Sequence, residues 1–379
     1  MDRIFTACHG TQLLVIQHLR RHLALPPARE YLLWNPLDNI AAIDEFMRRV
    51  IATANFSEVL DMRNFEQLQP RTQGPARWWF ESARRMRKDA NTLRAWLKAN
   101  RIVNRDVELW TDDPIHFNVN FPKGVLHAAH HVKVPHAFNL DDASTADYRR
   151  RLAAKKRSEP WAKRILFLPW LRAVSGCDMR AAQTLGYDVG YSFNERSAWS
   201  EQSIDVSRLI SVQSFRETFQ ALPGGLKDEV ESTLAPLRAG RKPLVLLLLF
   251  GLSPSLRQAY QTSLARIFAD RKRELNGCSL AIKVHPGAHG HEEEQFFDWA
   301  SANIPAQIFP IRSAVNLEFM LPEFQPDFVL AGPCGALPVV KRLQAGVPIV
   351  LPEIMDELCQ AFPGEQANYR RLVDGMKVW

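Results

Sequence analysis

Three segments in the second half of this 379-residue chain carry side chains able to do chemistry. In Ala281-Ile282-Lys283-Val284-His285-Pro286-Gly287, a strand-like run ends on a histidine that the following proline biases toward extended backbone. A protonated imidazole there can donate to a phosphate oxygen or to a departing group near neutral pH. A histidine satisfied by backbone is the plain alternative. Glu318, in Leu317-Glu318-Phe319-Met320, is a carboxylate among apolar residues just inside a helix start. It can accept from ribose hydroxyls, or simply complement the helix N-terminus. Leu330-Ala331-Gly332-Pro333-Cys334-Gly335-Ala336-Leu337 is a small-residue turn opening a helix, where backbone N–H groups and the dipole can hold an anion. Many such turns bind nothing.

These residues depend on elements that bring them to one edge. Residues 244–250 read as a buried strand, 254–271 as a helix, 280–284 as a strand and 292–303 as a helix. Strands at 306–309, 327–330 and 348–351 complete a sheet. Continuous rather than alternating apolar strands imply burial on both faces, and ligands of such sheets bind at the carboxyl ends of the strands. The first half has the same rhythm: a strand at 3–8, a break at His9-Gly10-Thr11, a helix from 13 to 23, then apolar runs at 31–34, 59–60, 107–110 and 132–140. A long basic helix is expected over 75–100, with Trp78, Trp79, Ala83, Met86, Leu93, Trp96 and Leu97 on its inner face. Leu222-Pro223-Gly224-Gly225 and the charged stretch after it read as the crossover between domains. The expected division is 1–225, 226–355, and a C-terminal helix at 356–379 returning to the first domain.

Composition bounds the possibilities. Lys+Arg 48 against Asp+Glu 41 leaves a net charge of +7, and 46% apolar with 23% charged residues excludes wholesale disorder. Five cysteines, far apart and without a Cys-x-x-Cys pair, argue against a disulfide framework or structural zinc. His127, His130, His131 and His136 cluster in sequence, as do His285, His289 and His291, but neither group has the spacing and partners of a metal site. The longest apolar run, 244–252, is well short of a membrane span, and Met1-Asp2-Arg3-Ile4 does not open a signal peptide. Basic stretches at 84–88 and 149–164 are solvated helix faces or a surface for anionic membrane or acidic glycan. No motif supports nucleic-acid binding.

The Lys-x-His-Pro strand end, the isolated glutamate about thirty residues on and the small-residue turn together resemble bacterial sialyltransferases and polysialyltransferases of the GT-B fold. The resemblance implies an α/β protein of two Rossmann-like domains facing across a cleft. It implies an inverting glycosyltransferase moving sialic acid, Kdo or a related acidic sugar from a CMP donor to a glycan of a surface polysaccharide or lipooligosaccharide. His285 then assists departure of CMP. Lys283, Pro286, Glu318, Cys334 and Gly335 belong to the donor site, Glu318 holding the ribose. Asn139-Leu140-Asp141-Asp142-Ala143-Ser144 resembles the family's acidic pair, which makes Asp141 or Asp142 the general base; alone, that pair reads as a helix cap. In this fold the loop with His9 and Gly10 lines the cleft, where His9 touches acceptor or donor sugar, or the loop simply caps a helix. Ser253 and Ser255 reach nucleotide or cap a helix. Ala143 stands where the family has glycine, and Gly332-Pro333-Cys334-Gly335 replaces paired hydroxyl residues, leaving phosphate to backbone N–H groups. The resemblance implies no metal or other cofactor, a cytoplasmic enzyme and a CMP-sugar and glycan as partners; peripheral contact with an anionic inner membrane stays open. Two other readings stay open: a GT-B glycosyltransferase using a UDP- or GDP-sugar, and a non-catalytic relative that binds glycan or nucleotide.

Overall fold

The structure, a computed structural model, describes residues 1–7, 10–35, 41–63, 65, 75–103, 106–111, 117–126, 128–134, 166, 168–178, 187–192, 204–209, 224–240, 242–249, 253–284, 291–311, 317–334 and 336–378. They form two compact units. Met1–Asn39 with Ile51–Ser211 makes the first; Ile40–Val50 with Val212–Trp379 makes the second.

The first unit contains β1 (Asp2–Ala7), α1 (Gly10–His22) and β2 (Arg29–Trp34). Helix α2 (Ala41–Thr53) follows, most of it grouped with the second unit, where Arg49 pairs with Glu229 at 2.7 Å. Then come β3 (Glu58–Asp61), α3 (Pro75–Ala99), β4 (Val107–Thr111), α4 (Phe117–Val125), β5 (His130–Lys133), α5 (Leu168–Ser175), β6 (Tyr187–Ser192) and β7 (Ile204–Leu209). The strands make one parallel sheet in the order β3-β2-β1-β4-β5-β6-β7. Its core packs Ile4, Tyr31, Leu33 and Leu109 with Ala83, Met86, Ala90, Leu93 and Leu97 of α3. The spacing of that α3 stripe is helical, so a single face is buried. Ala83, Met86, Leu93 and Leu97 take the inner positions expected of them, and Trp96 is half-buried; the side chains of Trp78 and Trp79 lie outside the described residues.

Charge lies inside this unit. Arg3, only 2% exposed, donates from Nε to Glu108 and from Nη1 to Glu30, each at 2.7 Å. Trp110 Nε1 donates to the same Glu108 oxygen at 2.9 Å, and Arg20 Nε donates to the other Glu30 oxygen at 2.7 Å. Arg29 grips Asp2 with two hydrogen bonds of 2.8 Å. Three strands and α1 are thereby joined at the amino end of the sheet. Such buried pairs persist only when every charge has partners.

The second unit continues with α6 (Gly224–Arg238), β8 (Leu244–Leu249), α7 (Pro254–Asp270), α8 (Lys272–Leu275), β9 (Ser279–Val284), α9 (His291–Asn303) and β10 (Gln307–Ile311). It ends with α10 (Leu317–Phe324), β11 (Phe328–Ala331), α11 (Ala336–Leu343), β12 (Val347–Val350), α12 (Pro352–Ala361), α13 (Gln366–Leu372) and β13 (Lys377–Val378). The order is β10-β9-β8-β11-β12-β13, again parallel. The run Leu-Val-Leu-Leu-Leu-Leu of β8 is buried throughout, as the central strand of a sheet covered on both faces must be.

Three features depart from the sequence reading. The supposed crossover is mostly helix: Gly224-Gly225 opens α6, whose Val230, Leu234 and Leu237 are buried, and the units part between Ser211 and Val212. Residues 356–379 stay with the second unit, where α12 buries Ile354 and Leu358 in the core containing Tyr260 and Leu264 of α7, and β13 pairs with β12. Strands β6 and β7 add two members to the first sheet that short, polar sequences such as Tyr-Asp-Val-Gly-Tyr-Ser and Ile-Asp-Val-Ser-Arg-Leu did not announce.

Candidate functional site

Both sheets reverse their strand order at one point, between β1 and β4 in the first and between β8 and β11 in the second. Connections leave in opposite directions there, opening the crevice in which such sheets bind ligands. In the second unit the register places Ile311, Lys283, Leu248, Ala331 and Val350 in one row across β10, β9, β8, β11 and β12. The connections after these five strands therefore start from a common edge. Ser253, Cys334 and Lys283, chosen from sequence alone, all fall on it.

Lys283 is 7% exposed and already engages a neighbouring group. A buried ammonium is kept only where negative charge or several acceptors surround it. Ser253 is the N-cap of α7: its Oγ accepts from Leu256 N at 3.3 Å and lies 3.2 Å from Ser255 Oγ. Pro254 at the first helical position reinforces the start. Both serines are exposed, and their mutual contact uses one hydroxyl proton and leaves the other able to reach a ligand. Across the reversal point, Gly332 is buried against α12, and a Cβ there would collide with Ile354 Cγ2. Close approach of α12 to the turn after β11 thus explains this glycine without a ligand. Cys334 is half-buried and also engaged. Glu318 is the second residue of α10, while nothing of its side chain is described. His285, Pro286 and Gly335 lie outside the described residues.

In the first unit, Gly10 opens α1 directly after β1, at that sheet's reversal point. His9, Asp141 and Asp142 lie outside the described residues. The same edge holds polar groups that sequence reading passed over. Thr111, at the carboxyl end of β4, is fully buried with a hydroxyl that has no hydrogen-bond partner among the described residues. Asn35, just past β2, is 2% exposed, and both of its side-chain amide atoms are likewise without partners among the described residues. Lys133 ends β5 in register with Thr111 and is buried. Polar residues closing apolar strand runs were the available signal.

Within β5, two residues before Lys133, burial also acts on a histidine. His131 is pushed down to about 4, first by burial and then by the charge of Lys123, with Asp188 acting the other way. Its backbone N–H donates to Asp188 at 2.6 Å. No group of three His, Cys, Asp or Glu side chains suited to a metal ion occurs among the described residues. No helix among them is long and apolar enough to cross a membrane.

No family model matches the chain, and no curated protein matches it in sequence. Solved structures do match. UDP-GlcNAc 2-epimerase from Methanocaldococcus jannaschii is 11% identical, over 99% of this chain and 92% of that one, with a TM-score of 0.50. The same enzyme in complex with UDP-GlcNAc and UDP is 12% identical, over 93% and 84%, also at 0.50. UDP-GlcNAc 2-epimerase from Neisseria meningitidis, bound to UDP-GlcNAc, is 10% identical over 100% and 95%, at 0.49. The two likenesses at 0.50 are of fold: the chain has the GT-B fold, built from two parallel α/β domains.

Proposed function

We propose that this chain is a nucleotide-sugar enzyme, a glycosyltransferase whose second unit holds the donor at the carboxyl ends of β8, β9 and β11. The observation that carries the reading is the reversal of strand order between β8 and β11, with Ser253 and Cys334 flanking it and the buried Lys283 in the adjoining strand. A diphosphate fits this chemistry: a buried cation, a helix N-terminus and a hydroxyl proton of the Ser253–Ser255 pair complement its charge. The solved structures of like fold carry UDP-GlcNAc and UDP, which supports a uridine nucleotide as donor.

A second reading keeps the same edge and changes the donor. Lys283-Val284-His285-Pro286, followed by Glu318, favours a CMP-activated acidic sugar. In either case the acceptor oxygen attacks the anomeric carbon as the bond to the departing phosphate breaks. Asp141 or Asp142 takes the acceptor proton, His285 donates to the departing phosphate oxygen, and Glu318 accepts from ribose hydroxyls.

The test is thermal unfolding of the full chain with UMP, UDP, CMP and GDP, followed by nucleotide release from UDP-GlcNAc and from CMP-sialic acid. Uridine nucleotides are expected to raise the midpoint most, in proportion to occupancy. A preferential shift with CMP selects the second reading. Absence of any shift or release overturns both and leaves a non-catalytic role. Lys283→Met is expected to weaken binding of the preferred nucleotide at least ~10-fold, since a buried charge-assisted contact is lost.

A further inference from the structure

The nucleotide reading leaves the amino edge of the first sheet without a task. Beside the first residues of β1 and β2 lies a cavity of about 360 Å³, lined in part by Asp2, Pro27, Arg29, Arg101, Val103 and Asp106. That volume suits a small molecule. Of the four charged side chains around it, two are already engaged. Arg29 grips Asp2, and its Nη1 and Nη2 also donate to the carbonyls of Asn100 and Arg101 at 3.3 and 3.4 Å. The Arg29–Asp2 pair is therefore neutral, and it pins the chain that leaves α3.

Arg101 occupies a position that suits arginine poorly. α3 closes with Arg101 N donating to Lys98 O at 3.1 Å and Ile102 N donating to Leu97 O at 2.9 Å. This pair of bonds puts one residue in left-handed backbone, and glycine usually fills that place. Here Arg101 fills it, with φ at +54°, where a Cβ costs stability. Its exposed guanidinium has no partner among the described residues, and neither has the exposed carboxylate of Asp106. An arginine kept in an unfavourable conformation at the rim of a cavity is explained by work for its side chain. With Arg29 and Asp2 cancelled, Arg101 and Asp106 leave one side-chain charge of each sign, next to exposed apolar surface of Pro27 and Val103. A simple anion would be repelled by Asp106 and a simple cation by Arg101. A zwitterion satisfies both.

We propose that this cavity binds an α-amino acid with an apolar side chain, its carboxylate on Arg101, its ammonium on Asp106 and its side chain against Val103 and Pro27. The site lies wholly in the first unit and does not depend on the nucleotide reading. It is tested by saturation-transfer NMR titrations of the full chain with leucine, N-acetylleucine and leucinamide. Leucine is expected to bind with a dissociation constant on the order of 1 mM, as two solvent-facing charge pairs allow. N-acetylleucine lacks the ammonium and leucinamide the carboxylate, and each is expected to bind about fivefold more weakly. Arg101→Gly should weaken leucine by a similar factor while raising the midpoint of thermal unfolding, because glycine relieves the left-handed position. An arginine with a purely structural role would not give that combination. Asp106→Asn should weaken leucine and leave N-acetylleucine unchanged or bound more tightly. Absence of saturation transfer to leucine overturns the proposal. So does equal binding of leucine and N-acetylleucine, which would mark a site for simple anions, or unchanged leucine affinity in both variants.

Discussion

The two units share one strand order, apart from a seventh strand in the first, and are stabilised differently. The first sheet holds a charged network at its amino end, where Arg3 joins Glu30 and Glu108, and leaves Asn35 and Thr111 buried without side-chain partners among the described residues at its carboxyl end. The second sheet is apolar along β8, and its polar groups sit mainly at strand ends and helix starts: Lys283, Ser253 and Cys334 at the carboxyl edge, and Asp327 binding Leu244 N at 2.7 Å on the other. Strand order follows from the sequence of crossovers, which apolar strands alone can satisfy. What fills the sheet is a separate choice. A buried ion network costs desolvation that only complete pairing offsets, whereas leucines tolerate loss by degrees.

The largest effect should come from breaking that difference. Arg3→Met removes one cation from between two carboxylates and is expected to destabilise the first unit by about 3–5 kcal/mol, the cost of a buried charge left unpaired. Leu247→Ala, in the core of the second, should cost about 2–5 kcal/mol through the cavity it leaves. Urea unfolding followed by Trp110 fluorescence and by hydrogen exchange separates the two. Each variant should lower mainly the transition of its own unit. If Arg3→Met is mended by adding Glu108→Gln, the penalty lies in the uncompensated carboxylate; if it is not, packing by the arginine stem matters more.

Acid should divide the units next. His18 is fully buried and pushed down to about 4 by burial, with the nearby His22 adding to the effect. His131, also in the first unit, is lowered to about 4. A histidine held neutral in the folded state and free to protonate when unfolded gives stability that is complete above pH ~6.5 and drains away as pH falls toward 4. The shift at His18 corresponds to roughly 3 kcal/mol. The second unit has Glu353, where burial alone would raise the carboxyl, yet hydrogen bonds from Arg266 and Ser263 leave it lowered. Its contribution persists until pH falls below ~4.3, the range of an unfolded glutamate, and Glu353→Gln should cost about 1 kcal/mol because the pair is partly exposed. Between pH 6.5 and 5, then, the first unit should lose stability and the second hold. His18→Asn should flatten the slope of the first; an unchanged slope would assign it to other groups.

Much of this arrangement could be read from residue order. The strands at 31–34, 107–110 and 244–250 emerge as β2, β4 and β8 within two residues, because each is a mainly apolar run, broken only at Glu108. The stripe of Ala83, Met86, Leu93 and Leu97 fixed α3 by its period. β6 and β7 escaped because Asp188, Gly190, Asp205 and Arg208 interrupt the pattern, and their place is set by pairing partners far along the chain. The buried network escaped for a similar reason: Arg3 and Glu108 are 105 positions apart, and only the fold makes them neighbours. At the candidate site, sequence singled out Lys283, Ser253 and Cys334, while a shared edge became visible through register. Gly332 looked like a ligand turn and is accounted for by Ile354.

The smallest expected effect is the most discriminating. Thr111 Oγ1 and Ser279 Oγ are both buried without a hydrogen-bond partner among the described residues, one at the carboxyl end of β4 and the other at the amino end of β9. Among the described residues neither hydroxyl gains a hydrogen bond for the water it gave up, so removing it should stabilise. Thr111→Val and Ser279→Ala are expected to gain about 1 kcal/mol each, raising the midpoint of the affected unit by about 2–4 °C. The two positions differ in which edge they occupy. Ligands of parallel sheets bind at carboxyl ends, where a polar group kept at a cost to stability has a use. Ser279→Ala should therefore leave turnover of the preferred nucleotide sugar untouched, and Thr111→Val should lower it while melting higher. If both variants gain stability and neither loses activity, Thr111 is an uncompensated hydroxyl and the first sheet's contribution to the site lies in other residues.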